Sequence, residues 1–181
     1  MNERNGGAMT ILGVDPGYAI LGWGVIEYGA SRYRLLGCGT VETEKDTLWP
    51  ERLKTIYTGL ADIIEQYRPD ESAVEELFFN SNQKTAIKVG EARGAAVLAC
   101  ANAGLKVFEY TPLQVKQALT GYGRAEKRQM QEMVRTILGL GKAPRPDDAA
   151  DAVAIAICHA NSSGYIESLE KFKAAGYGGH L

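Results

Sequence analysis

The hydrophobic pattern of this 181-residue chain changes period once, and that change restricts the fold more than any other feature. From Thr10 to Thr43 the apolar residues fall in short strand-type runs divided by turn residues. Thr10 to Val14 is one such run, stopped by Asp15-Pro16-Gly17, and Pro-Gly is turn chemistry. Leu21 to Tyr28 and Tyr33 to Thr43 are two further strand candidates, separated by Gly29-Ala30-Ser31. Three strands joined by short turns predict an antiparallel meander.

Beyond Thr43 the apolar residues recur at helical spacing. Pro50 suits a first helical turn, and Leu53, Ile56, Tyr57, Leu60, Ile63, Ile64 and Tyr67 form one stripe that Pro69 ends. A strand is expected from Ser72 to Phe79, then a helix from Asn82 to Asn102 with Ser81 as its N-cap. Lys106 to Tyr110 reads as a strand, and Thr111-Pro112 opens a helix to about Leu119. Helices over Ala125 to Leu138 and Asp147 to His159 complete the pattern. The order βββ-α-β-α-β-α-α-α predicts a mixed sheet with helices packed against it. One folded domain is expected over residues 10–161, with 1–9 as a disordered extension and 162–181 as a loose tail.

Charge and cysteine content exclude several functions. Lysine and arginine number 20 against 22 aspartates and glutamates, a net charge of −2. This excludes a polycation that coats nucleic acid but allows a basic patch. Cys38, Cys100 and Cys158 are far apart, no CxxC pair exists and there are two histidines. A disulfide framework and a zinc site are therefore not expected, and a reducing, cytoplasmic setting is. The longest apolar runs, Ala95 to Ala101 and Ala152 to Cys158, fall well short of the ~20 residues of a membrane span. The polar start has no signal-peptide core.

Four acidic positions stand at the ends of apolar elements: Asp15, Glu75, Asp148 and Asp151. Asp147 and Asp148 are explained by the dipole of a helix start. Asp151 is not, since it sits a turn deeper among alanines. Asp15 alone could be a turn aspartate, and one of Glu75 and Glu76 must face away from the other. Taken together the acids demand more. Close carboxylate pairs repel by ~4 kcal/mol at an effective dielectric near 20. No lysine or arginine adjoins them in sequence, and a divalent cation would relieve them; hard oxygen ligands select Mg²⁺ or Mn²⁺. His159 lies ~12 Å beyond Asp151 along a helix, too far to share an ion.

The stretch from Lys106 to Arg145 holds eight lysines and arginines against three glutamates. A net acidic chain thus carries a basic segment just before its last two aspartates. Any of these eight, Lys116, Lys127 and Arg128 among them, is a candidate for phosphate contact, which positions a nucleic acid without reading its sequence. Phe78 and Phe79 are adjacent and followed by polar residues, so one of them could stack on an unpaired base.

The runs Ile11-Leu12-Gly13-Val14-Asp15-Pro16-Gly17, Ala73-Val74-Glu75, Gln114-Val115-Lys116-Gln117, Ala125-Glu126-Lys127 and Asp148-Ala149-Ala150-Asp151-Ala152 resemble the bacterial RuvC Holliday-junction resolvases. The resemblance covers roughly Thr10 to Asn161, and the order and spacing of the motifs carry it more than any one of them. It implies a ribonuclease-H-like fold, a mixed five-stranded sheet flanked by helices. It implies a metal-dependent, structure-selective endonuclease that resolves four-way DNA junctions by paired symmetric nicks in recombination and repair. Asp15, Glu75, Asp148 and Asp151 match its catalytic, metal-binding carboxylates, which selects Glu75 over Glu76 and Asp148 over Asp147. Lys116 and Lys127 match residues that contact the phosphate backbone, and Phe78 matches an aromatic that enters the junction. Mg²⁺, with Mn²⁺ as substitute and up to two ions per subunit, is the implied cofactor. The implied assembly is a homodimer with the helix from Asn82 to Asn102 at its interface, working with the RuvA–RuvB branch-migration complex. The alternatives are a ribonuclease-H-like RNA-processing nuclease, an actin-like ATPase fragment and an inactive junction-binding module.

Overall fold

The computed structural model describes residues 7–77 and 83–174, with side chains at 7–77 and 86–163. The elements form in the expected order: β1 Met9–Asp15, β2 Ile20–Gly29, β3 Arg32–Glu42, α1 Trp49–Tyr67, β4 Glu71–Glu75, α2 Gln83–Asn102, β5 Lys106–Tyr110, α3 Pro112–Thr120, α4 Lys127–Ile137 and α5 Asp147–Ala174. They build one five-stranded sheet in the order β3-β2-β1-β4-β5. The meander β1–β2–β3 is antiparallel, and β4 and β5 add to β1 in parallel. Antiparallel strands need only tight turns, whereas each parallel addition needs a helical crossover, here α1 and α2.

Alternation along the strands divides the core into two faces. Ile11 and Ala73 face a layer of α3, α4 and α5. Leu12, Val14 and Val74 face α1 and α2. Asp15 shares the parity of Ile11, and Glu75 that of Ala73, so both acids project toward α5. Helix α5 lies unusually close to the sheet. A carbon added at Gly13 would stand 2.0 Å from the Ala152 carbonyl oxygen, and one at Gly22 2.1 Å from that of Asp148. Glycine at these positions lets helix backbone meet strand backbone. The far end of β4 is fastened to the same helix. His159, fully buried, bonds Glu71 Oε2 through Nε2 at 2.8 Å and the Tyr110 hydroxyl through Nδ1 at 2.7 Å. It is a bonded core histidine.

Two boundaries differ from expectation. The strand expected to reach Phe79 ends at Glu75. Its ladder partner β5 ends at Tyr110, and Glu76 N–H donates to the Tyr110 carbonyl as the last bond. The expected loose tail from residue 162 is helical to Ala174. Ser162 and Ser163 donate their hydroxyls to the carbonyls of Cys158 and Ala160, so these polar side chains find partners on the helix itself. The expected N-cap Ser81 lies outside the described residues.

Candidate active site

Three elements bring the acidic residues to one end of the sheet. Asp15 closes β1, Glu75 closes β4, and Asp148 and Asp151 open α5. Glu76, one residue on, has the opposite parity and is exposed, so strand alternation separates the two glutamates. Asp147 is held differently from Asp148: Arg145 reaches its Oδ1 at 2.6 Å and Lys127 its Oδ2 at 3.6 Å.

The acids are electrostatically coupled. Burial raises Asp15 from its ordinary value of 3.8 to about 7, and the charges of Glu75, Asp151 and Asp148 push the same way. Burial also raises Glu75, with Asp151 adding to the effect and Lys116 opposing it. Asp151 rises through burial, against the hydrogen bond that Lys127 donates. That bond is 3.0 Å from Lys127 Nζ to Asp151 Oδ2, and it raises the lysine in turn. The sequence held no adjacent cation; folding brings Lys127 and Lys116 to the acids from α4 and α3.

Glu75, Asp151, Lys116 and Lys127 line a pocket of about 240 Å³ floored by Val115, Met130, Ala154 and Ile155. Asp15 and Asp148 are not part of its lining but act on it by charge. Among the described residues, no three acidic, cysteine or histidine side chains are arranged to share one ion as they stand. The set still fits a divalent cation. The candidate ligands offer only hard oxygen donors, and burial beside three further carboxylates drives Asp15 to about 7, a cost that a bound cation would offset.

Arg128 is exposed on α4 and lines a second pocket with Tyr122, Glu132 and Met133. Phe78 lies outside the described residues. Sequence reasoning missed Arg93 on α2, whose guanidinium reaches the Glu75 backbone. Its signal was one arginine among Gly90, Ala92, Gly94, Ala95 and Ala96, a long charged side chain on a helix built for close packing.

Comparison with known proteins gives consistent results. Residues 11–159 match the family described as crossover junction endodeoxyribonuclease RuvC. The chain is 57% identical over 159 residues to the protein of that name from Alkaliphilus oremlandii, covering 88% of this chain and 97% of that one. It is 59% identical over 153 residues to the one from Rubrobacter xylanophilus, covering 84% and 86%. The solved structure of Thermus thermophilus RuvC superposes with a TM-score of 0.80 at 43% identity, over 87% of this chain and 96% of that one. A structure of T. thermophilus RuvC in complex with a Holliday junction substrate superposes equally well, at 40% identity.

Proposed function

The chain belongs to the RuvC family of crossover junction endodeoxyribonucleases, and we propose that it resolves four-way DNA junctions by paired, symmetric nicks in recombination and repair. The observation that carries this is the meeting of Asp15, Glu75, Asp148 and Asp151 at one sheet end beside a lysine-lined pocket, with Asp15 raised to about 7. Buried, mutually repelling carboxylates are costly to a fold, and a cation that joins them offsets that cost.

Asp15, Glu75, Asp148 and Asp151 would hold Mg²⁺, or Mn²⁺ in its place, up to two ions per subunit. When bound, such ions stabilise charge on the attacking and leaving oxygens of a phosphodiester displacement that leaves 5′-phosphate and 3′-hydroxyl ends. A carboxylate oxygen of the set accepts the proton of the attacking water. Lys116, Lys127 and Arg128 hold backbone phosphates and so position the strand. Lys127 neutralises Asp151 without the cation and can turn to a phosphate once that charge is otherwise compensated.

The enzyme acts as a homodimer, whose two sites match the symmetry of a junction. Helix α2 supports this assembly: Ile87 and Leu98 are exposed on it, and a carbon added at Gly94 would meet nothing within 4 Å. Phe78 enters the junction, and the RuvA–RuvB complex is the partner. Among the described residues no helix is long and apolar enough to cross a membrane, and a cytoplasmic location is part of this reading.

The test is cleavage of a labelled four-way junction with Mg²⁺ or chelator, beside linear duplex, RNA hairpin and ATP-hydrolysis controls. Metal-dependent paired nicks confined to the junction are expected. Asp15→Asn should bind the junction as tightly as the parent yet lose cleavage by more than about 100-fold, since it removes charge from the site and not from the basic rim. Binding without nicks at any metal concentration would overturn the proposal, and full cleavage by that variant would overturn the assignment of Asp15.

A further inference from the structure

The pairing of β4 with β1 ends at Val74, so Glu75 is held in the sheet from the β5 side and not from the β1 side. A strand-end carbonyl needs another partner. Glu76 N–H takes the Tyr110 carbonyl at 2.9 Å. The Glu75 carbonyl is met by Arg93, whose Nε–H donates to it at 3.3 Å. The same guanidinium lies 2.5 Å from Glu109 Oε1 through its NH2 group, and the arginine side chain is only 19% exposed. Arg93 stands next to Ala92, which is fully buried, so its helix is firmly seated. One side chain therefore joins α2, the end of β4 and β5, holding the Glu75 backbone while the Glu75 carboxyl projects to the other face.

We propose that Arg93 is a positioning residue for the acidic site. It sets where the Glu75 carboxylate stands among Asp15 and Asp151 by holding the Glu75 carbonyl. Strand direction fixes a side chain only as well as the backbone is fixed, and at Glu75 the β5 ladder still holds the strand while the β1 ladder has already ended at Val74. Arginine suits the task because its fork serves two acceptors at once, the carbonyl and Glu109. The link also ties the site to α2, the helix whose exposed face supports the dimer. The inference rests on reading Glu75 as a cation-holding carboxylate, and the experiment separates the two.

Four variants are compared with the parent: Arg93→Gln, Arg93→Lys, Glu109→Gln and Glu75→Gln. Mn²⁺ binding is measured by calorimetry without DNA, with cleavage rate, junction affinity in chelator and Tm alongside. Loss of an outer partner to a ligand typically weakens metal binding or activity ~10–100-fold, and Arg93→Gln should fall in that range for Mn²⁺ affinity and for kcat. Junction affinity in chelator should stay within about 2-fold, because no phosphate contact is removed. Arg93→Lys should restore part of the Mn²⁺ affinity, since one ammonium hydrogen bond can reach the carbonyl. Glu109→Gln, which leaves the carbonyl bond in place, should keep most of it. If Glu75→Gln loses Mn²⁺ binding while Arg93→Gln and Arg93→Lys keep parent values, the Arg93 proposal falls alone. If Glu75→Gln itself binds Mn²⁺ and cleaves as the parent does, the assignment of Glu75 falls and takes the Arg93 proposal with it.

Discussion

Asp15 is where burial and charge meet most sharply. Its carboxyl stands at about 7 in the metal-free fold, against 3.8 ordinarily. The native state thus favours the protonated form. The associated stability is fully present below about pH 4 and is lost as pH rises through 7. Burial raises Glu75 and Asp151 as well, in the same direction. Thermal unfolding in chelator should therefore show Tm falling between pH 5 and pH 8. Asn keeps the shape of Asp without the charge, so Asp15→Asn should flatten part of that fall. At pH 8 it should unfold at least about 2–4 °C above the parent, the shift expected per kcal/mol for a chain of this size. Equal melting at pH 8 would mean that Asp15 carries no buried charge. Much at this scale was legible in the chain itself. The acids announced themselves by standing at the ends of apolar elements, and strand parity explains why Glu75 and not Glu76 joins them. Lys127 and Arg93 were not legible as partners, because each reaches its acid across a fold contact that leaves no mark on neighbouring residues.

Backbone contact, more than side-chain packing, sets the distance between the elements that carry the acids. Gly22 faces the carbonyl of Asp148 at a distance that excludes even a methyl group. Gly22→Ala must push α5 off the sheet, and overpacking of this kind costs about 1–3 kcal/mol. The same displacement parts Asp148 and Asp151 from Asp15, and a misplacement near 1 Å can cost ~100-fold in rate. Cleavage and Tm should both fall, while Gly141→Ala, with nothing within 4 Å of the added carbon, should leave both unchanged. Retained cleavage by Gly22→Ala would show that the close approach is not needed. Periodicity read the elements in their right order, since each has a clear strand or helix spacing. It overran β4, which ends at Glu75, because Leu77, Phe78 and Phe79 look in the sequence like more of the same apolar run. It cut α5 short because polar residues after Asn161 look like a tail, although the helix runs on to Ala174 and the serine hydroxyls turn back on its carbonyls. The glycines at 13, 22 and 24 read only as strand glycines, since the helix they admit lies more than a hundred residues away.

Across the whole molecule, a net charge of −2 conceals a division of labour. The acids gather inside one sheet end, while the basic excess lies on α3, α4 and the loop before α5. Junction binding should weaken steeply with salt, as phosphate contacts release counterions. Lys116→Gln and Arg128→Gln should each lower the slope of log affinity against log salt by about 1. A slope unmoved by either would take those residues off the DNA. Strand β4 and helix α5 give the molecule one more property. Glu71 to Glu75 covers about 13 Å of strand, and Asp151 to His159 covers about 12 Å of helix. The Glu71–His159 bond pins the far end of this pair, so the two scales cannot slide past each other, and the acids at the near end keep their alignment. A nuclease that cuts by shape must hold its calibration while DNA presses against it, and here the reference mark is buried at the end of β4 farthest from the cut.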